Sequence, residues 1–280
     1  MAATDVHALL AELEEWAAAQ GAVTQTHSYG PGPEHEADLL LPGGVGPDRV
    51  APGGEGPHPA APRHEGPHPV AVLLHGGFWR APFKRPIMAA LAIDLARRGW
   101  ATWNVEYRRG GSGGGAVETL NDVGAAIDAI RELDEPLDAE HLLLIGHSAG
   151  GQLALCAASD PAVTAVVSLA GVCDLVAAAD EAIGNDAAVE FIGARPAQRP
   201  DAYAVADPMQ RLPTGVDVLL AHGDADDRVP IHLSRDYAAA ARAAGDSCEL
   251  LELPGNDHFA VIDPRSDAWA QIASRLPSRR

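Results

Sequence analysis

The run Leu142-Leu143-Leu144-Ile145-Gly146-His147-Ser148-Ala149-Gly150-Gly151 constrains the fold of this 280-residue chain more than any other stretch. Four apolar residues lead into a serine flanked by glycines, and the Ala/Leu-rich residues 152–158 follow. The pattern predicts a buried strand, a very tight turn and the start of a helix. The glycines have a physical reason. At such a corner a Cβ two residues to either side of the serine would collide with the neighbouring strand or helix. The turn lifts the Ser148 hydroxyl clear of the sheet and aims the first free N–H groups of the helix at the space beside it. Gly-x-Ser-x-Gly alone is a common grouping of small residues. The strand before it and the helix after it give it weight.

The rest of the chain alternates strand and helix signals. Residues 70–74, 101–107, 163–169, 216–221 and 248–253 read as strands, and 87–98, 120–133, 233–244 and 268–276 as helices. Alternation of this kind predicts an α/β fold, with a mainly parallel central sheet covered by helices on both faces. Residues 4–20 predict an amphipathic helix capped by Thr4, with Val6, Leu9, Leu10, Leu13 and Trp16 on one stripe and Gly21 at its end. Residues 23–29 and 37–41 predict an antiparallel hairpin at the sheet edge. Residues 176–212 hold scattered helical signals broken by Pro and Gly, and predict a small cap or lid. The whole chain, 1–280, fits one domain.

Residues 42–69 are of another composition, rich in Pro, Gly, His and Ala, with Glu-Gly-Pro-His-Pro at 55–59 repeated at 65–69. Such a segment buries too little apolar surface to offset its ordering entropy and predicts a long, mobile surface loop. Its His58, His64 and His68 suggest at most adventitious metal binding.

Composition sets limits on partners. The net charge is −19, with a single lysine, Lys84, among the basic residues. That balance argues against nucleic acid and anionic membranes. Cys156, Cys173 and Cys248 are odd in number, widely spaced and set in apolar stretches, which predicts reduced core thiols. With no basic-apolar leader and no apolar run long enough to span a bilayer, the expectation is a cytoplasmic protein. Monomer and homodimer are both open.

In a parallel sheet the functional loops collect at the carboxyl ends of the strands. Four loops converge there: His75-Gly76-Gly77, the Ser148 corner, the Asp226 loop and the His258 loop. A serine hydroxyl needs a neighbouring base to act as a nucleophile at neutral pH, and His258, just after the last strand, is the candidate. An acid must hold the imidazole tautomer. Asp224, Asp226 and Asp227 compete for that role, and Asp226, three residues after Gly223 and four before Pro230, is favoured. The other two read as solvated acids or turn formers. A tetrahedral intermediate would place its oxyanion against backbone N–H groups, with Ala149, Gly77 and Phe78 as candidates. His147 and Trp79 are candidate pocket residues, although Trp79 suits ordinary packing nearly as well and the His147 side chain should diverge from Ser148. His75 is expected to brace its own loop, and His222 to fix the acid loop. No metal or cofactor is called for.

These residues resemble the α/β-hydrolase superfamily, in which nucleophile, acid and base occur in the chain order of Ser148, Asp226 and His258. His75-Gly76-Gly77-Phe78-Trp79 is similar to the His-Gly-Gly-x-Trp loop of kynurenine formamidases and related small esterases. Asn104-Val105-Glu106-Tyr107-Arg108 and Asp257-His258-Phe259 resemble segments of the same branch. The resemblance covers roughly residue 70 to the end, with weaker support from residues 29–41; the insert at 42–69 departs from it. It implies a cofactor-free serine hydrolase of small esters or activated amides. A carboxylesterase is the first reading and an arylformamidase, releasing formate from N-formylkynurenine, the second. A non-catalytic ligand-binding protein on the same fold is the alternative class. It would have no need of nucleophile, base and acid together. Metal-assisted hydrolysis by the His-rich insert lacks the ligand spacing of a catalytic site.

Overall fold

A computed structural model describes residues 6–45 and 66–278. Thr4, His58, His64 and most of the Pro/Gly/His-rich insert lie outside the described residues. Eight strands form one sheet: β1 (Gln25–Ser28), β2 (Glu36–Leu40), β3 (His68–Leu74), β4 (Ala101–Val105), β5 (Leu137–His147), β6 (Val163–Leu169), β7 (Asp217–Gly223) and β8 (Cys248–Leu253). Their spatial order is β1-β2-β4-β3-β5-β6-β7-β8. The hairpin β1–β2 is antiparallel and joins β4 antiparallel at one edge, as expected. The remaining pairings are parallel.

The period-two alternation of β3 shows why its residues read as one continuous apolar run. Val70, Val72 and Leu74 face one buried layer, and Ala71 and Leu73 face the other. Helices α3 (Ala116–Ala129), α4 (Ala149–Ala157) and α8 (His232–Ala244) cover the first layer. Helices α1 (Val6–Ala19), α2 (Ala89–Arg97) and α9 (Asp267–Ala273) cover the second. Among the described residues, no helix is long and apolar enough to cross a membrane.

Several boundaries differ from the sequence reading. Strand β3 begins at His68, inside the stretch assigned to the insert, because His68 and Pro69 pair with Leu137 and Asp138 of β5. Helix α3 starts at Ala116 rather than 120: the Glu118 carboxylate accepts the Gly115 N–H at 3.1 Å, an N-terminal signal that lies ahead of the apolar stripe. Residues 176–212 form α5 (Leu175–Asp180), α6 (Ile183–Ile192), α7 (Pro200–Ala206) and a 3-10 turn, Pro208–Arg211. Their Ala178, Ala179, Ala188, Phe191, Tyr203 and Ala206 are buried in the main core. This segment therefore belongs to the packed body of the domain.

Candidate active site

The corner after β5 has the strained geometry its sequence implies. Ser148 adopts φ 56° and ψ −117°, a conformation that non-glycine residues hold only when their surroundings enforce it. The enforcement is visible at its flanks. A Cβ on Gly146 would stand 2.0 Å from the Gly150 carbonyl oxygen, and one on Gly150 would stand 2.1 Å from the Leu74 carbonyl oxygen. No larger residue fits at either place. The Ser148 N–H donates to the Leu169 carbonyl at 2.8 Å, tying the corner to β6. Ala149 opens α4, where the first amides have no intrahelical acceptor.

His258 and Asp226 meet across the ends of β7 and β8. The His258 Nδ1–H donates to Asp226 Oδ2 at 2.7 Å. That tautomer leaves Nε2 with a lone pair able to take a proton. Asp226 is otherwise satisfied locally: its Oδ1 accepts the N–H groups of Arg228 (2.8 Å) and Val229 (2.9 Å). His222 Nε2 faces both Asp226 Oδ2, at 3.1 Å, and the Val229 carbonyl, at 2.9 Å, so it carries the proton there. The Ser234 hydroxyl then donates to His222 Nδ1 at 2.8 Å. The Asp226 side chain is fully buried. Burial alone would raise its pKa, but hydrogen bonds from His222 and His258 outweigh that and hold it well below the usual carboxylate range. Of its neighbours in the loop, Asp224 accepts the Gly255 N–H at 2.6 Å and Asp227 pairs with Arg228 at the surface. Both do the work of turn and solvent-facing acids.

His147 lies beneath the imidazole. Its Nε2–H donates to the His258 carbonyl at 3.0 Å, and the two rings stand 4.7 Å apart. Burial, together with the nearby His258, pushes its pKa down to about 3, so this ring is neutral in ordinary buffers.

The loop after β3 faces the serine from the other side. Gly77, Phe78 and Trp79 all have positive φ (117°, 52° and 54°), two of them without the freedom of glycine. A network of charged residues underlies this loop. The His75 Nδ1–H donates to the Gly76 carbonyl at 2.7 Å, Nε2 meets Glu106 Oε1 at 3.1 Å, and the ring stacks on Tyr107, with ring centres 4.3 Å apart. Glu106 also pairs with Arg109, a fully buried guanidinium that reaches Glu34 at 2.7 Å. Burial favours the neutral form of Glu106, but the His75 hydrogen bond and the charges of His75 and Arg109 overcome it and bring its pKa down to about 2. Reading the sequence identified His75 as a brace, noted Glu106 only as part of a family-like segment and left out Arg109. Their signal was a cluster of charges, Glu106 to Arg109, directly after an apolar strand.

Trp79 corrects an expectation. It does not line the cavity. Its ring is buried and stacks on Phe191 of α6 at 4.5 Å, and its Nε1–H donates to Gln152 of α4 at 2.9 Å. With Gln152 donating onward to the Ala206 carbonyl, Trp79 ties the loop to α4 and α7. Arg80 adds an ion pair to Glu190 at 2.8 Å. The helices expected to form a lid thus hold this loop from behind.

Ser148, His147, His258, Gly76, Gly77 and Phe78 share one cavity of about 80 Å³. Its other walls are Val6, Leu10, Phe83, Ile87, Arg228 and Phe259. The lining is apolar apart from His147, Ser148, His258 and Arg228, the last a residue that the sequence did not single out. Groups of His, Cys, Asp or Glu arranged to hold a metal ion are absent among the described residues.

Residues 60–240 match the BD-FAE family. Esterase LipQ of Mycobacterium tuberculosis is 28% identical over 224 residues, which is 72% of this chain and 51% of that protein. The chain thus spans about half the length of the curated relative it matches. Among solved structures, esterase B from Lactobacillus rhamnosis superposes with a TM-score of 0.74 at 17% identity, covering 96% of this chain and 89% of the other. A truncated carbohydrate esterase from gut microbiota gives 0.70 at 19% identity, covering 91% and 95%. A putative thioesterase from a Silicibacter species gives 0.69 at 22% identity, covering 98% and 94%. The shared feature in these structures is the α/β-hydrolase fold.

Proposed function

The chain belongs to the BD-FAE family of α/β-hydrolase esterases, and from that premise we propose that it is a serine carboxylesterase using Ser148, His258 and Asp226. The observation that carries this reading is the imidazole of His258, held by Asp226 at 2.7 Å and lining the same cavity as the Ser148 hydroxyl.

In the proposed reaction His258 Nε2 takes the Ser148 proton as Oγ attacks the acyl carbonyl. The carbonyl π electrons move onto oxygen, and the N–H groups of Ala149, Gly77 and Phe78 receive that oxyanion. Asp226 stabilises the imidazolium without taking its proton. The oxyanion collapses, the ester C–O bond breaks, and His258 returns the proton to the departing alcohol. Water, activated by the same imidazole, then attacks the acyl-enzyme and releases the acid. His222 and the backbone amides of Arg228 and Val229 keep Asp226 ionised and oriented, which its own burial would oppose.

The relatives support the ester chemistry: esterase B from Lactobacillus rhamnosis has been solved inhibited by a tributyrin phosphonate. A second reading, arylformamidase, rests on the His75-Gly76-Gly77-Phe78-Trp79 loop, which resembles that of kynurenine formamidases. The test is turnover of p-nitrophenyl esters and of N-formylkynurenine by wild type and Ser148→Ala. Loss on the order of 10⁶-fold in kcat is expected when a triad acts as a unit. Undiminished turnover by the variant would sink the proposal, and a strong preference for the formamide would select the second reading.

A further inference from the structure

Two residues of the N-terminal helix reach the reaction cavity. Val6 and Leu10, one turn apart on α1, line it beside Ser148, whereas residues 176–212 contribute none of its lining. Helix α1 is anchored for this position. Glu12 pairs with Arg265 at 2.8 Å, Leu13 and Ala17 are buried in the core, and the His7 ring lies parallel to Phe83. Phe83 in turn abuts the loop after β3: a Cβ on Gly77 would stand 2.2 Å from the Phe83 Cβ. The α1 end of the cavity therefore adjoins the candidate oxyanion donors. Arg228 and Phe259 stand at the imidazole end.

The two halves of an ester place different demands on these ends. The alcohol must receive a proton from His258 and diffuse away, so it belongs at the imidazole end. The acyl group stays bonded to Ser148 until water attacks, so it can be enclosed. About 80 Å³ falls far below the roughly 300–1,000 Å³ of sites that bury drug-sized ligands, so only a few carbons fit.

We infer that α1 is the acyl wall of the site, with Val6 and Leu10 restricting substrates to short acyl groups. This inference rests on the serine esterase reading above. Its chemical consequence is a preference for short acyl esters.

The experiment uses the full chain and two substrate series. In one, p-nitrophenol is fixed and the acyl group runs from acetate through butyrate to hexanoate. In the other, acetate is fixed and the alcohol runs from ethyl through butyl to hexyl. Wild type should favour the shorter acyl groups. In Leu10→Ala the hexanoate-to-acetate ratio of kcat/KM should rise about tenfold, as burial of two further methylenes warrants, with the alcohol series keeping its shape. Val6→Ala, at a less buried position, should move the ratio in the same direction by a smaller factor, and covers the case in which Leu10→Ala fails to fold. A ratio unmoved in the folded variants, or a change confined to the alcohol series, would overturn the assignment while leaving the esterase reading intact. Absence of Ser148-dependent ester hydrolysis in wild type would overturn both.

Discussion

The two sides of the cavity are built on different physical plans. On the imidazole side, Asp226 is satisfied almost entirely by its own loop. Two of its hydrogen bonds come from N–H groups two and three residues further on, and His222 lies four residues back. The loop after β3 is held by groups drawn from across the chain: Glu106 and Arg109 beneath it, Glu34 beyond them, and Phe191, Gln152 and Glu190 behind it. The first side places a charge by local geometry. The second keeps a left-handed backbone segment in place with a buried ionic network and an aromatic stack. Removing one group should therefore cost chemistry on the first side and stability on the second.

The largest expected effect is on the imidazole side. Asp226→Asn should leave the fold in place, because amide and carboxylate have the same shape. It should lower kcat by about 10⁴-fold by disturbing the His258 tautomer, the size found for the equivalent change in a serine protease triad. A thermal melt alongside ester kinetics checks both parts. Loss of folding here would break the contrast.

Glu106→Gln tests the opposite side. It leaves the fully buried Arg109 with Glu34 as its remaining carboxylate partner, and removing one partner of a buried ion pair costs about 3–5 kcal/mol. Chemical denaturation should show that loss, with the residual activity of the folded fraction still dependent on Ser148. A stability within about 0.5 kcal/mol of wild type, as at ordinary surface sites, would remove the network from the account.

Acid titration sharpens the same point. Glu106 sits at about 2 in the folded protein against an ordinary 4.5, so the unfolded chain binds this proton more readily. Its contribution is complete above pH 4.5 and is lost as pH falls towards 2, amounting to at most about 3 kcal/mol. Asp226, also depressed, adds in the same direction. Melting temperature should fall across this window in wild type, and Glu106→Gln should flatten the slope. An unchanged slope would contradict the role given to Glu106.

The smallest effect is expected at Trp79. Trp79→Phe keeps the stack on Phe191 and removes the hydrogen bond to Gln152, leaving a buried acceptor unsatisfied at a cost of about 1–3 kcal/mol. Because the ring lies outside the cavity, the acyl-length preference should stay that of wild type. A changed preference would return Trp79 to the pocket.

Much of the fold and of the candidate site was legible because the signals were short-range. The corner at Ser148 is written in the glycines at 146 and 150, whose missing side chains the carbonyl oxygens of Gly150 and Leu74 require. The parallel order of β3 to β8 follows from apolar runs separated by helical stretches, since a parallel connection needs a crossover. Asp226 could be preferred over Asp224 and Asp227 from its spacing, and the loop geometry places it beside His258. Trp79 was ambiguous because an aromatic residue in a loop packs equally well inward or outward until its neighbours are known. Phe191, the ring that receives it, lies far along the chain.

By itself the sequence determined the strand and helix periodicities, the tight turn that presents Ser148, and the four loops that meet at the carboxyl edge of the sheet. These depend on backbone sterics and on alternation over a few residues, which the chain carries locally. Tertiary structure alone decided that residues 176–212 join the core, that Arg109 is neutralised by Glu106 and Glu34, and that Val6 and Leu10 wall the cavity. Each of these depends on distant segments sharing one volume. Helix α1 carries an apolar stripe that would suit any buried surface, and only the packed sheet, with Phe83 and Ile87 already in place, selects the surface beside Ser148.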